Sequence, residues 1–287
     1  MKKILYILFV IIIFTACSKT EQEAKPKTVE DVKLATIGWG PVINPSTFSN
    51  NGFYEIVHQP EGAANILYTD FATGTQMYLC SRPECLHNEN SCNSYIEENI
   101  DTGRLLMNKD KSLLINIRGE KAAGTDEYIT KIVTMKPDGS DQKSVYEFPF
   151  NESTDGHRAV DEENLYLTVI VAPTGVNKPA KLKLTRVNLY TGEREDLEAF
   201  DDDVKISAAN EDTIYLQAST STGNDFYAYS LSKKKKSLVY STKYEEAKGV
   251  MFEDDLYLFE NESKQVKQVN LITNEEKILE GKFHLTI

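Results

Sequence analysis

From about Leu34 onward, apolar and polar side chains alternate in short runs, each closed by turn residues, and helical spacing of apolar positions is hard to find. Three runs resemble one another: Asp161-Glu-Glu-Asn-Leu165-Tyr-Leu167, Glu211-Asp-Thr-Ile214-Tyr-Leu216 and Glu253-Asp-Asp-Leu256-Tyr-Leu258. Each is an acidic turn followed by an apolar-Tyr-Leu strand. A weaker copy ends in Leu113-Leu-Ile115, so Leu113, Leu165, Ile214 and Leu256 stand about 52, 49 and 42 residues apart. Later in each repeat a strand runs into a tight turn. Examples are Tyr68 to Gly74, Val133 to Gly139, Val187 to Gly192, Tyr229 into Lys233–Lys236, and Val269 to Asn274. Gly or Asn at such a turn supplies the positive φ that a short hairpin needs.

A period of roughly 40 to 50 residues with four strands per unit predicts an all-β chain folded as a β-propeller of four-stranded blades. The units fall near 50–95, 103–148, 157–200, 205–241 and 248–280. A further strand-like run, Gly281 to Ile287, leaves two readings: a ring of five to six blades closed by that strand, or a shortened, open ring. The lysine run reads as a solvated hairpin tip, and the acidic clusters at Asp161, Asp201 and Glu253 as solvated turns.

Residues before Leu34 follow other rules. Met1-Lys2-Lys3, the apolar run Ile4–Phe14 and the small residues before Cys17 have the order of a secretory leader. Eleven apolar residues are too few for a stable transmembrane helix. The expectation is a lipoprotein signal peptide over 1–16, cleaved so that Cys17 becomes a lipidated N-terminus. Residues 17–33 then form a flexible tether and 34–287 the propeller domain. The localisation that follows is extracytoplasmic, with the chain held on a bacterial cell membrane by its acyl chains.

With 40% hydrophobic and 26% charged residues, the chain has the composition of a globular protein. Its net charge of -12 argues against a nucleic-acid partner, which calls for a basic face.

The densest chemistry is Cys80-Ser-Arg-Pro-Glu-Cys85-Leu-His87-Asn-Glu-Asn-Ser-Cys92, which holds three of the four cysteines within thirteen residues. Three thiolates and an imidazole complete a tetrahedral zinc shell. If the segment is extended, Cys85 and His87 point the same way, since side chains alternate with period two. Cys80, Cys85, His87 and Cys92 are therefore the candidate metal ligands, and the cofactor expected is structural zinc. Other soft metals share this donor preference. One disulfide with a spare thiol is the competing reading for an exported chain.

The leader, Tyr68-Thr-Asp70 beside a Gly turn, Leu79-Cys80-Ser-Arg-Pro-Glu-Cys85-Leu-His87 and Cys92-Asn93-Ser-Tyr95 together resemble a group of bacterial lipoproteins with TolB-like or YWTD-like propellers. The resemblance implies the fold and the envelope location but no activity.

No Gly-x-Ser-x-Gly, His-Glu-x-x-His, phosphate loop or Gly-x-Gly-x-x-Gly occurs in the sequence. His58, His157, His284 and Trp39 are isolated in sequence and read as structural or core side chains. In the long hairpin loop Pro173–Ala180, the residues Thr174, Gly175, Asn177 and Lys178 are the candidate partner contacts. The first functional expectation is a membrane-anchored module that binds a protein, peptide or glycan at the envelope. The alternatives are an enzyme acting on envelope glycans or peptides through a channel site, and a metal-handling or redox-sensing lipoprotein.

Overall fold

The computed structural model describes residues 34–37, 46–59, 62–97, 104–108, 113–121, 124–125, 128–173, 179–243, 248–252, 255–260, 265–273 and 275–279. All of them belong to one compact unit, Val32–Ile287. Cys17, the leader, the tether, Trp39, His284 and the loop residues Thr174, Gly175, Asn177 and Lys178 lie outside the described residues.

Every regular element among the described residues is a strand. A short β1 (Leu34–Ile37) comes first. The first blade holds β2 (Ser46–Phe48), β3 (Gly52–His58), β4 (Ala64–Asp70), β5 (Gln76–Tyr78) and β6 (Tyr95–Ile96). The second holds β7 (Arg104–Asn108), β8 (Leu113–Lys121), β9 (Tyr128–Met135) and β10 (Lys143–Glu147). The third holds β11 (Glu152–Val160), β12 (Asn164–Val171), β13 (Lys181–Asn188) and β14 (Arg194–Phe200). The fourth holds β15 (Asp203–Glu211), β16 (Thr213–Thr220), β17 (Gly223–Ser230) and β18 (Lys235–Thr242). The fifth holds β19 (Lys248–Phe252), β20 (Asp255–Glu260), β21 (Gln265–Asn270) and β22 (Glu276–Leu279). Within each blade consecutive strands pair antiparallel, except that β6 of the first blade pairs with β4, so the molecule is an all-β propeller whose blades follow the five sequence units.

The apolar-Tyr-Leu runs are second strands, and burial on both faces explains their composition. Leu165, Leu167 and Val169 of β12 pack with Leu106, Ile115, Ile117 and Ile132 of the second blade. The intervening Tyr166 joins Val204, Ile206, Ile214 and Leu216 of the fourth. Alternate side chains of one strand thus serve two interfaces, and no blade can bury both faces alone. Each such Leu or Ile taken fully out of water contributes about 1.5–3 kcal/mol.

Gly192 ends the turn between β13 and β14 with φ +74°. A Cβ there would lie 2.3 Å from the Val145 carbonyl oxygen of the second blade. The glycine therefore permits both the left-handed turn and close blade-to-blade contact.

One of the turn readings needs correction. Asp161 is buried, not solvated. Its Oδ1 accepts the backbone N–H groups of Glu163 and Asn164, both at 2.8 Å, and its Oδ2 accepts the Tyr166 hydroxyl at 2.8 Å. A tight turn leaves backbone donors that water cannot reach, and a carboxylate satisfies them. Burial first, then the Asp161 charge, pushes the Tyr166 phenol far above its ordinary pKa. Asp161→Ala should cost roughly 2–4 kcal/mol, the scale of charged hydrogen bonds lost from a buried turn, read as a lowered urea midpoint. The lysine tip is exposed at Lys233, Lys234 and Lys235, as a solvated turn should be, and it also makes contacts with the third blade. Lys234 reaches Glu195 at 2.8 Å, and Lys236 reaches Glu198 at 3.2 Å while lying 4.4 Å from the centre of the Phe200 ring. The fourth blade's turn is thereby tied to the outer strand of the third.

Asp196 on β14 accepts from Lys183 at 2.6 Å, Arg194 at 2.9 Å and Thr185 at 3.0 Å. Burial works to raise its pKa, but these donors outweigh it and hold the carboxyl below its ordinary value. A depressed folded-state pKa gives stability that is present above the unfolded value, near pH 4, and is lost as pH falls through the folded one. Asp196→Asn should therefore shallow the loss of stability below about pH 4, measured by urea unfolding across the acid range.

The strand β1 completes a feature without a sequence signal. It pairs antiparallel with β11, Ala35 opposite Val160, and with β15, Leu34 opposite Glu211. The third and fourth blades are joined through it into one nine-stranded sheet.

Candidate metal centre

The first blade has a divided outer edge. β5 pairs with β4 at Leu67–Thr69, whereas β6 pairs with β4 at Ala64 and Asn65. Between these two halves the chain leaves the sheet as a loop that carries all four candidate ligands. It departs where Leu79 N–H donates to the Ile66 carbonyl at 2.9 Å and returns where Ile66 N–H donates to Ser94 O at 2.7 Å. One residue of β4 therefore clamps both ends of the loop.

Cys80, Cys85, His87 and Cys92 come together with their donor atoms all within 4.8 Å of one another. The route differs from the extended segment expected. Glu84 and His87 have φ of +59° and +56°, so two left-handed residues fold the loop back on itself. Non-glycine residues occupy that region at a cost, and such strain gathers at ligand clamps. Pro83, just before the first of them, suits a tight bend.

The cluster is held from outside. His87 Nδ1 lies 3.3 Å from Cys92 Sγ, and its ring stacks on Tyr78 with centroids 4.2 Å apart. Asn65 donates from Nδ2 to the His87 carbonyl at 2.9 Å and to Ser94 Oγ at 3.2 Å. Ser94 Oγ stands 3.3 Å from Cys92 Sγ, and Arg82 donates to Cys85 Sγ at 3.2 Å and to Ser91 Oγ at 3.0 Å. Partners of this kind orient ligands and favour thiolates. Burial raises the Cys80 pKa, but hydrogen bonds from the Arg82 backbone, Cys92, the Arg82 side chain and Cys85 bring it down to about 7. Burial pushes the Cys92 thiol up.

The three cysteines are free thiols. A tetrahedral ion with bonds of about 2.3 Å to sulfur sets its ligand atoms roughly 3.8 Å apart. The observed cluster needs only a small contraction to reach that spacing, so the residues fit a bound metal. Cys92 is buried and the other three ligands half-buried, which leaves the group reachable from the surface. The second blade braces this loop: a Cβ on Gly139 would stand 2.8 Å from the Leu79 carbonyl oxygen, immediately before Cys80. Gln142 Nε2 donates to Asn93 O at 2.7 Å.

Other candidates remain dispersed. His58 is exposed at the end of β3, and His157 is half-buried on β11 at a break in register between Asp155 and Arg158. Asp201, Asp202 and Asp203 are exposed. Among the described residues these side chains do not form a second ligand group like that of the cysteines.

No family model matches the chain, and no curated protein matches it in sequence. Solved structures do match. An oligogalacturonate lyase in complex with manganese superposes with a TM-score of 0.54 at 13% identity, over 79% of this chain and 61% of that one. A prolyl endopeptidase superposes with a TM-score of 0.55 at 11% identity, over 89% of this chain and 38% of that one. An acylaminoacyl peptidase from Pyrococcus horikoshii gives 0.51 at 11% identity, over 85% of this chain and 39% of that one. The chain thus spans less than two thirds of each of these three proteins. At such identities the likeness is one of fold alone.

Proposed function

We propose that this chain is a binding module of the bacterial cell envelope: exported, anchored through lipid on Cys17, and stabilised by a structural zinc ion on Cys80, Cys85, His87 and Cys92. The observation that carries the proposal is the convergence of three free thiols and one imidazole within 4.8 Å on a loop clamped at both ends. Three sulfur ligands and one nitrogen suit zinc, and four protein ligands leave no position for a substrate. Zinc bound there supplies no chemistry to a reaction; it fixes the loop against the first blade. The fold is shared with proteins named as a lyase and as peptidases, so it selects neither catalysis nor binding. Recognition of a protein, peptide or glycan then falls to the loops and blade junctions.

The test is elemental analysis of the full chain purified without added metal, beside a free-thiol titration. About one zinc per chain, with the thiols protected until a chelator is added, is the expected result. A metal-free chain with freely reactive thiols would overturn the reading. Mass spectrometry of the N-terminus checks the anchor, a diacylated or triacylated Cys17 being expected.

A further inference from the structure

Beside the metal loop, between the first and second blades, lies a cleft of about 450 Å³. It is lined by Asn90 and Cys92 from the loop, Tyr95 and Glu97 from the return strand, Arg118 and Glu120 from β8, and Gln142 from the turn before β10. Its volume falls in the range of small-molecule sites. We propose that this cleft binds a short uncharged glycan. The inference rests on the binding-module reading and names the ligand class of that module.

The lining selects the ligand through its hydrogen-bonding balance. Asn90 uses one N–H on Glu97 Oε2 at 2.8 Å, and Gln142 uses one on the Asn93 carbonyl at 2.7 Å. Each amide keeps one N–H to donate and its carbonyl oxygen to accept, and the other oxygen of Glu97 can accept as well. A wall that both donates and accepts suits a ligand rich in hydroxyl groups, which do both. Arg118 Nε lies 2.5 Å from Glu120 Oε1, and Glu120 is also 3.1 Å from Lys131. Within the lining the Arg118 charge is balanced by that of Glu120, so the pair gives no net charge to draw an anion. Lys121, which also lines the cleft, balances Glu97, so there is no net charge to attract a cation. Half-buried Tyr95 offers an aromatic body for the C–H face of a sugar ring.

The strand that forms this wall also carries a buried amide. Asn116 lies two residues from Arg118 on the same face of β8 and is completely buried. Neither its Oδ1 nor its Nδ2 has a hydrogen-bond partner among the described residues. Buried amides without partners are rare, and this one lies behind the lining of the cleft rather than in it.

Metal and cleft share one turn. Cys92 N–H donates to the Glu89 carbonyl at 2.9 Å, so the ion that holds Cys92 also holds Asn90 in the rim. The test is saturation-transfer NMR on the full chain in a sugar-free detergent, with cellobiose, maltose, di-N-acetylchitobiose and a digalacturonate as probes. At least one neutral disaccharide should bind with millimolar or tighter affinity. Asn90→Ala and Glu97→Gln should each weaken it about tenfold or more with zinc content unchanged. Absence of transfer from all neutral probes, preference for digalacturonate, or binding indifferent to both variants would overturn the proposal. Zinc per chain is measured on the same samples. Disaccharide binding that depends on Asn90 and Glu97 in a chain without zinc would sustain the cleft and overturn the structural-zinc reading instead.

Discussion

If the proposed zinc is bound, Cys92→Ser should abolish its binding and lower the melting temperature by roughly 10 °C. Cys92 is only 3% exposed and sits between His87 Nδ1 and Ser94 Oγ, each 3.3 Å away. Serine nearly preserves volume, so packing changes little and the loss reads the metal. Zinc-finger peptides draw about 10–16 kcal/mol from their ion because nothing else folds them. Here the ends of the loop are already clamped to Ile66, so only the intervening segment depends on the ion. A destabilisation of about 3–5 kcal/mol follows, and at this chain length 1 kcal/mol shifts the melting temperature by roughly 2–4 °C. The decisive comparison uses a chelator. Wild-type protein treated with it should fall to the level of the variant, while the variant should not move. A wild-type protein that melts at the same temperature with and without chelator would remove the metal from the stability of this fold.

Gly192→Ala should be about as damaging for a different reason. The residue has φ +74°, and a methyl group there would meet the Val145 carbonyl oxygen at 2.3 Å. Left-handed backbone costs an alanine roughly 1 kcal/mol. The clash adds to that, because backbone from another blade has to give way, and overpacking of this kind costs about 1–3 kcal/mol. A total of about 2–4 kcal/mol is expected. The first blade offers a control: Gly74 has φ +67°, and a Cβ there meets nothing within 4 Å among the described residues. Gly74→Ala carries the strain without the clash and should cost only about 1 kcal/mol. The difference between the two unfolding midpoints measures how tightly the third blade leans on the second. Equal effects would mean that this contact carries little.

The strands were legible in the sequence because propeller blades repeat. Leu165, Ile214 and Leu256 occupy equivalent places in β12, β16 and β20, and all three are completely buried. The Cys80, Cys85, His87 and Cys92 cluster was legible because its members are neighbours in sequence. Other features depend on contacts between distant residues. Cys85 and His87 converge through backbone turns at Glu84 and His87, which have no signature in residue type. Asp161 looked like one more surface carboxylate, because its burial follows from the neighbouring blade. Lys234 and Lys236 find Glu195 and Glu198 almost forty residues back. The cleft joins Asn90 to Arg118 across two sheets, a meeting that no local pattern announces.

The pairing of β1 bears on the order of folding. Leu34 finds its partner Glu211 more than 170 residues further along the chain. During synthesis or export from the N-terminus, that strand emerges early and waits for two blades not yet made. Contacts so distant in sequence are slow to form, and loop closure has to be paid for before they return anything. Until β1 arrives, the edges of β11 and β15 that it covers are open to strands of other molecules. The segment nearest the expected membrane tether would thus be the last stitch in the fold, and crowding of half-made chains the hazard it guards against.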